Sequence, residues 1–291
     1  MSRSFVSRVK GIVPIYKEAG ISSFTILKWI KLHIAYENFG GKHWYIPHVE
    51  SYRNLEPYAS GVCTVGIGGP SLYIKYLQFC DCRYSVKIKM GQSTTNDFYK
   101  SDIIDTKPFN HVNLDDVKNA CLSFIGSHIQ VMPFVTFREP CSWYELDTLH
   151  NEEADNYGEN RDLTSPNFWN GEDQMRYKVR DVVHHRRVTC HSIEITDFDP
   201  PDISLEIFCG TTFVIRSFVK DLCEKLGTCG SIVKLERTQE GPFTLDHCID
   251  KTDLYLKYLK PALQTNTVFY IDHVRQHLDK LPFYGDKRIK K

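Results

Sequence analysis

The chain has 291 residues, 36 basic and 36 acidic side chains, and therefore a formal net charge of zero. That length allows one large core or two small ones, and 42% hydrophobic with 25% charged residues are ordinary for a globular protein. The neutral balance argues against strong, indiscriminate nucleic-acid binding, although it leaves room for a local basic groove. No apolar run approaches the roughly 20 residues of a membrane span. The ten scattered cysteines favour reduced thiols in an intracellular compartment.

The first fifty residues predict a basic lead-in, a strand and a helix. Residues 1–10 carry Ser, Arg and Lys without an acidic residue. This is a weak signature of mitochondrial import, and the plain alternative is a basic lead-in without a targeting role. Residues 11–17 read as a short strand. Ser22 or Ser23 is suited to cap a helix whose apolar residues then recur at helical spacing.

The stretch 54–61, Asn-Leu-Glu-Pro-Tyr-Ala-Ser-Gly, is the most informative in the chain. Its carboxylate, Glu56, comes directly before a proline and is followed by a small-small-Gly step. Such a loop is rigid and leaves the acidic side chain open to a substrate. Read alone, Glu56 is equally well a turn carboxylate without a chemical role.

The middle of the chain alternates between elements and one long break. Ser71 is suited to cap a second helix through Phe79, residues 84–90 alternate between an apolar and a basic face as a strand does, and Asn113 is suited to cap a third helix. Residues 145–175 are rich in Asp, Glu, Asn, Gly and Pro, with almost no aliphatic side chains, and indicate a long acidic insertion.

The C-terminal third predicts strands at 192–196, 203–209 and 232–237, with a strongly amphipathic helix that ends at Gly227. Together the elements predict an α+β fold with a mixed, mostly antiparallel central sheet and flanking helices. The predicted organisation is a lead-in at 1–10, one domain at 11–262 that carries the insertion, and a short extension with a basic tail at 263–291.

Six stretches, in this order, resemble the motifs of the TruB family of pseudouridine synthases. They are the opening strand at 11–17, the Glu56 loop, the strand around Tyr84, Gly-Thr-Thr-Phe-Val-Ile-Arg at 210–216, the helix that ends at Gly227, and Leu-Glu-Arg at 235–237. The Phe-Val-Ile-Arg form of the arginine motif and the short C-terminus look most like the animal mitochondrial branch of the family. The resemblance implies a pseudouridine-synthase fold, an RNA-modifying isomerase activity, and a mitochondrial location.

The resemblance also implies a role for each matching residue. Glu56 would be the catalytic carboxylate and Arg216 the guanidinium that keeps it ionised, while Tyr84 would stack on the target base and Leu235 would close the pocket. No metal or organic cofactor is implied. The RNA-binding residues would be Lys17, Lys87, Lys89, Arg186, Arg187 and Arg237, with Arg176, Lys178, Arg180 and the basic tail as further candidates.

One departure leaves the function open, because the family has aspartate where this chain has Glu56. The extra methylene moves the carboxylate by more than about 1 Å, given a C–C bond of about 1.5 Å, and a misplacement of about 1 Å can cost roughly 100-fold in rate. The first hypothesis is therefore a pseudouridine synthase, possibly of weak activity. The second is a non-catalytic RNA-binding protein or assembly factor that uses the same cleft. The third is a scaffold that binds a protein partner through residues 145–175.

Overall fold

The fold is organised around one large β-sheet. The computed structural model describes residues 9–39, 48–131, 185–250 and 254–276. Within them, the strands are β1 (Gly11–Lys17), β2 (Val49–Ser51), β3 (Ser60–Ile67), β4 (Asp81–Met90), β5 (Gln92–Thr94), β6 (Ile103–Thr106), β7 (Gly126–Val131), β8 (His185–Asp199), β9 (Asp202–Gly210), β10 (Gly230–Glu240) and β11 (Phe243–Thr244). The helices are α1 (Ser23–Phe39), α2 (Leu114–Leu122), α3 (Ile215–Lys225) and α4 (Leu256–Gln276), with 3₁₀ helices at Gly69–Phe79 and Leu245–His247.

The order of strands in the main sheet is β1-β3-β10-β4-β9-β8-β7, with β2 added to β3 and β11 to β10. Strands β3 and β10 pair in parallel, whereas the pairs β1–β3, β10–β4, β4–β9 and β9–β8 are antiparallel. Strands β5 and β6 form a separate hairpin. The predicted α+β fold with a mixed, mostly antiparallel sheet is confirmed.

These elements belong to the larger of two compact units, residues 1–130 and 186–291. The smaller unit, 131–185, lies outside the described residues except at its two ends. The acidic insertion at 145–175, most of the lead-in, the basic tail, and Arg176, Lys178 and Arg180 also lie outside them.

Local sequence signals explain most of the helix boundaries. Ser22 Oγ accepts a hydrogen bond from the Thr25 amide at the start of α1. Asn113 forms a capping box with Asp116 at the start of α2. The prediction at Ser71 was wrong: that segment is a 3₁₀ helix that begins at Gly69, with Pro70 in its first turn, and Ser71 is buried within it. The proline lacks an amide hydrogen and fits the first turn of a helix, so the helix begins there.

Three apolar clusters bury the sheet. The largest covers one face of β4, β9 and β10 and is closed by α2 and α3. The other two lie on opposite faces of β1 and β3, one under α1 and the N-terminal half of α4, the other under the Gly69–Phe79 helix and Tyr270. Helix α4 continues across residue 262, and its Leu259, Leu263 and Tyr270 are all buried. The helix is therefore part of the main body, and the extension predicted at 263 does not begin as a separate piece.

Candidate active site

Glu56 lies on the loop that precedes the buried strand β3. The Ala59 amide donates a 3.0 Å hydrogen bond to the Glu56 carbonyl, which makes a tight turn around Pro57. Gly61, at the start of the strand, has φ +114°, and a Cβ there would lie 2.2 Å from the Arg237 carbonyl oxygen. Only glycine fits this close approach of β10, so the Gly that ends the 54–61 motif is needed to seat the loop against the sheet.

The buried ammonium of Lys17 binds backbone carbonyls of the same loop. Its Nζ donates hydrogen bonds to the carbonyls of Pro57 and Ala59, at 3.2 and 2.5 Å, and to that of Glu18 at 3.2 Å. The side chain is fully buried, and burial lowers its pKa to about 8, with Arg237 adding to the decrease. The N-terminus of α1 also holds the loop. Ser23 Oγ donates a hydrogen bond to the Leu55 carbonyl and accepts one from the Leu55 amide.

Arg216 reaches Glu56 from the first turn of α3. Its Nε lies 2.6 Å from Glu56 Oε1, and both side chains are largely buried, with exposed fractions of 19% and 33%. The helix start is held by Gln130, a buried side chain whose Oε1 accepts from the Val214 amide and whose Nε2 donates to the Val214 carbonyl. The helix therefore presents its arginine from a fixed position, in ion-pair contact with the Glu56 carboxylate, and among the described residues Arg216 Nε has no hydrogen bond of its own.

Asp97, for which the sequence predicted no role, lies at the other side of the same guanidinium. Its Oδ2 is 4.0 Å from Arg216 Nη1. Asp97 has φ +58°, a left-handed conformation that its backbone hydrogen bonds with Thr94 and Ile232 maintain. Burial raises the pKa of its carboxyl group, and Arg216 opposes that shift. The Asn96-Asp97 turn signal is visible in the sequence, but nothing in the sequence links this turn to Glu56.

Tyr58 is a further side chain beside the Glu56 carboxylate. Its ring stacks on Phe98, with centroids 4.6 Å apart and planes inclined by 11°. Its hydroxyl and Glu56 Oε2 are both buried, and neither has a hydrogen-bonded partner among the described residues. Burial raises the pKa of the Tyr58 hydroxyl, and the neighbouring Glu56 carboxylate raises it further. Tyr58 is therefore a protonated group beside the Glu56 carboxylate.

Tyr84 and Leu235 lie on the neighbouring strands β4 and β10, in one apolar cluster with Leu55 and Ala59 of the loop. Both side chains are buried, with exposed fractions of 6% and 5%. Burial raises the pKa of the Tyr84 hydroxyl, while the charges of Arg237 and Arg53 act in the opposite direction. The predicted base-binding residues are thus next to the Glu56 loop but covered, so a base would have to displace neighbouring side chains to stack on Tyr84.

The structure corrects two of the predicted RNA-binding residues. Lys17 is enclosed by loop carbonyls, as described above. Arg237 is buried too: its Nη1 lies 3.0 Å from Glu240 Oε1, and its Nε donates to the Val62 carbonyl. A side chain that already satisfies buried acceptors in this way has no surface left for RNA. The resemblance identified both positions but not their role, because a motif does not show which way a side chain points.

Within the described residues, no hydrogen bond or ion pair joins the other predicted RNA-binding residues to Glu56 or Arg216. Lys87 and Lys89 alternate along β4 with the buried Val86 and Ile88, so they occupy the opposite face of the sheet from Tyr84. Lys87 Nζ also pairs with Asp202 Oδ2 at 2.8 Å. The exposed residues Arg186 and Arg187 begin β8. The structure does not bring these four residues together with Glu56 and Arg216, and their RNA-binding role stays a prediction.

The described residues offer no cluster of three or more His, Cys, Asp or Glu side chains that would bind a metal ion. None of the helices in these ranges is both long and apolar enough to cross a membrane.

Residues 48–136, which include Glu56, Tyr84 and Asp97, match the model of the TruB family pseudouridylate synthase N-terminal domain. The chain is similar in sequence to the TruB pseudouridine synthases. It is 26% identical over 243 residues to the pseudouridylate synthase TRUB1 of Mus musculus, which covers 81% of this chain and 64% of the mouse protein. The chain therefore spans slightly less than two thirds of that TruB relative.

A bacterial relative gives a similar result. The tRNA pseudouridine synthase B of Clostridium perfringens strain SM101 is 25% identical over 249 residues, which covers 84% of this chain and 72% of the bacterial protein. These TruB relatives do not distinguish the animal mitochondrial branch, so that finer assignment stays a prediction.

Solved structures show the same fold. A chain in the crystal structure of a Cbf5-Nop10-Gar1 complex superposes with a TM-score of 0.59 at 16% identity, which covers 89% of this chain and 61% of that chain. A chain in the structure of an H/ACA RNP bound to a substrate RNA containing 2′-deoxyuridine gives 0.55 at 15% identity, with 89% and 60% covered. At this level of identity the likeness supports the TruB-type fold alone.

Proposed function

We propose that this chain is an RNA pseudouridine synthase of TruB type, with Glu56 as its catalytic carboxylate and Arg216 as the partner of that carboxylate. The observation that carries the proposal is the 2.6 Å separation of Arg216 Nε and Glu56 Oε1. Two residues from distant parts of the chain meet on the loop that the TruB family model includes. The extra methylene of glutamate has not removed the carboxylate from the arginine.

The reaction explains why such a pair is useful. Conversion of uridine to pseudouridine breaks the bond between N1 of uracil and C1′ of ribose and forms a bond between C5 and C1′. C5 loses a proton and N1 gains one, so the product is an isomer of the substrate. A carboxylate that acts on the sugar or the base must stay ionised in a partly buried site, and the adjacent guanidinium stabilises that form. This step needs neither a metal nor an organic cofactor.

RNA is the proposed substrate, and tRNA is the first RNA to test because the clostridial relative is named a tRNA pseudouridine synthase. The second hypothesis, a non-catalytic RNA-binding protein, is less favoured because it gives no reason for an arginine to pair with the carboxylate on this loop. A mitochondrial location is proposed from the resemblance, and imaging of the full chain with a C-terminal tag would test it.

The decisive experiment is tritium release from tRNA transcripts labelled at uridine C5. The wild type should release tritium and Glu56→Ala should not, because the variant lacks the carboxylate. Glu206→Ala is the matched control, since Glu206 is an exposed carboxylate on the opposite face of the sheet, and it should behave as the wild type. Equal release by the wild type and Glu56→Ala would contradict the proposal. Release only by Glu56→Asp would mean that the site is intact but that glutamate does not support turnover.

A further inference from the structure

Helices α1 and α4 form a surface with an unusual distribution of charge. The chain as a whole is neutral, whereas α1 and α4 together carry four lysines and Arg275 against the two acidic residues Glu37 and Asp272. Lysines occur at four positions of the two helices, 28, 31, 257 and 260. We call the outward side of the two helices the α1–α4 surface. Its charge is positive at neutral pH, in contrast to the balance elsewhere in the chain.

On α1, the outward stripe combines one lysine with three large apolar or aromatic side chains. Phe24, Lys28, Leu32 and Tyr36 recur every four residues and are all exposed, and Tyr36 is 74% exposed. The opposite stripe of Ile26, Ile30 and Ile34 is buried against β1 and β3. The packing of α1 in the core is therefore complete without the outward stripe, whose large aromatic groups contribute nothing to that core.

The start of α4 extends this stripe with further aromatic and basic groups. Tyr255 and Tyr258 are exposed, and Lys257 Nζ lies 5.2 Å from the centroid of the Tyr258 ring. The ring of Tyr255 meets His33 of α1 edge-on, at 5.3 Å between centroids. The two helices therefore meet at this contact, and both present exposed lysines and aromatic rings beside it.

This combination of groups suits single-stranded RNA. Lysines attract the phosphate backbone, and exposed aromatic rings stack on unpaired bases without regard to sequence. No ion pair within the described ranges joins the four lysines to a carboxylate, so their charges are not neutralised there. An apolar protein partner would bind the tyrosines but would leave the lysines without a counterpart, which is why RNA is the better-matched occupant.

The start of α1 contacts the loop that carries Glu56. The Gly20 amide, just before α1, donates a 2.7 Å hydrogen bond to the Pro57 carbonyl, and Ser23 holds Leu55. Phe24 follows directly. From Phe24 to Tyr36 the helix rises about 18 Å at about 1.5 Å per residue. RNA that lies along α1 would thus lead directly to the loop that carries Glu56.

We propose that the α1–α4 surface is a docking surface for the single-stranded part of the RNA substrate that flanks the nucleotide at Glu56. This inference rests on the proposed function for the identity of the RNA as a substrate. It assigns RNA binding to Lys28, Tyr36, Lys257 and Tyr258, none of which the sequence resemblance identified.

The test is a fluorescence-anisotropy titration of the full chain with a fluorescein-labelled poly(U) oligonucleotide over a range of salt concentrations. The double variant Lys28→Glu/Lys257→Glu should bind about tenfold more weakly or worse, and its salt dependence should be less steep by about 0.7 in logarithmic slope for each lost phosphate contact. The variant Tyr36→Ala/Tyr258→Ala should bind at least about fivefold more weakly, with the salt dependence unchanged, because it removes stacking. All of these side chains are exposed, so thermal unfolding should stay at the wild-type temperature.

Lys118→Glu is the control, because Lys118 is an exposed helix lysine on α2 that already pairs with Asp115. If both double variants bind poly(U) as the wild type and Lys118→Glu do, the docking surface is wrong even if the enzyme is active. The opposite result is equally distinguishable: weaker binding by the double variants, together with no tritium release by the wild type, keeps the docking surface and rejects the synthase activity.

Discussion

Arg216 Nε lies 2.6 Å from Oε1 of Glu56. The contact joins the first turn of α3 to the loop before β3, and Gln130 fixes the helix start on which the arginine depends. A glutamate at this position could have turned away from the site, since its side chain has one more rotatable bond than aspartate. Instead the carboxylate is paired, while its second oxygen stays without a hydrogen-bonded partner. The longer side chain is thus accommodated, and what orients its free oxygen becomes the main question.

We expect Tyr58 to position that oxygen. If its hydroxyl donates to the Glu56 carboxylate during turnover, Tyr58→Phe should lower kcat by roughly tenfold, the effect of one charge-assisted hydrogen bond of about 1.4 kcal/mol. The ring and its stacking on Phe98 would stay. The measurement is single-turnover tritium release by wild type, Tyr58→Phe, Glu56→Asp and the double variant. In the Glu56→Asp background the shorter carboxylate should no longer reach the hydroxyl, so Tyr58→Phe should have little effect. Equal losses in both backgrounds would rule out positioning of Glu56.

We expect Asp97 to orient Arg216 from the side opposite Glu56. Asp97→Asn keeps the left-handed turn, because asparagine tolerates φ near +58° at least as well as aspartate. The substitution removes the negative charge that lies beside the Arg216 guanidinium. Activity should fall about fivefold, equivalent to about 1 kcal/mol. Since burial raises the pKa of Asp97, its carboxylate gains a proton earlier than an ordinary aspartate as pH falls. The acid limb of the kcat profile should therefore move to lower pH in Asp97→Asn, and an unchanged acid limb would contradict this role.

The sequence predicted the parts of this protein that local patterns encode. The alternation of Tyr84, Val86 and Ile88 specified a one-sided strand, and Asn113 specified a helix cap, because both depend on neighbours in the chain. The predicted RNA-binding role of Lys17 and Arg237 was wrong. The sequence does not show that Lys17 binds the Ala59 carbonyl or that Arg237 pairs with Glu240. A cation on a strand reads as a solvated or RNA-facing group unless the carbonyl or carboxylate that binds it is known.

The same limit applies to the surroundings of Glu56. Its pairing with Arg216 was expected from the resemblance, but Asp97, Phe98 and Tyr58 were not connected to it. Those residues come together through the long-range pairing of Phe98 with Ile232 of β10, which no short motif records. The prediction at Ser71 was wrong for a different reason, because the helix begins two residues earlier, at Gly69, with Pro70 in its first turn.

Lys17 should make stability depend on pH. Burial lowers its pKa in the folded protein to about 8, from the ordinary 10.5. Between these values the unfolded chain binds more protons than the folded protein, so the contribution of Lys17 to the free energy of unfolding rises with pH. The full rise corresponds to about 3 kcal/mol at 1.36 kcal/mol per pKa unit. Urea denaturation of wild type and Lys17→Met between about pH 7 and pH 10 measures it. The wild-type curve should rise relative to the variant's, and parallel curves would show that Lys17 keeps its ordinary pKa.

The buried pair of Arg237 and Glu240 should be essential for stability. Arg237 donates to the carbonyls of Val62 and Arg53, while Glu240 Oε2 accepts from the Thr64 amide, so the pair ties β10 to β3 and to the segment before the Glu56 loop. Both side chains are almost completely buried, at 1% and 3% exposed. Glu240→Gln preserves the shape but leaves the guanidinium without a counter-ion, which should reduce the free energy of unfolding by about 3–5 kcal/mol.

Urea denaturation at neutral pH checks this expectation, with Asp115→Asn as the control because Asp115 and Lys118 form an exposed ion pair. The control should lose no more than about 1 kcal/mol. Replacement of both members, Arg237→Met with Glu240→Leu, should recover part of the loss, since an apolar pair leaves no buried charge unbalanced. A loss for Glu240→Gln as small as that of the control would mean that Arg237 finds another acceptor. The Arg237 guanidinium would then be held less tightly than its contacts indicate. The conclusion that Arg237 does not bind RNA would have to be reconsidered.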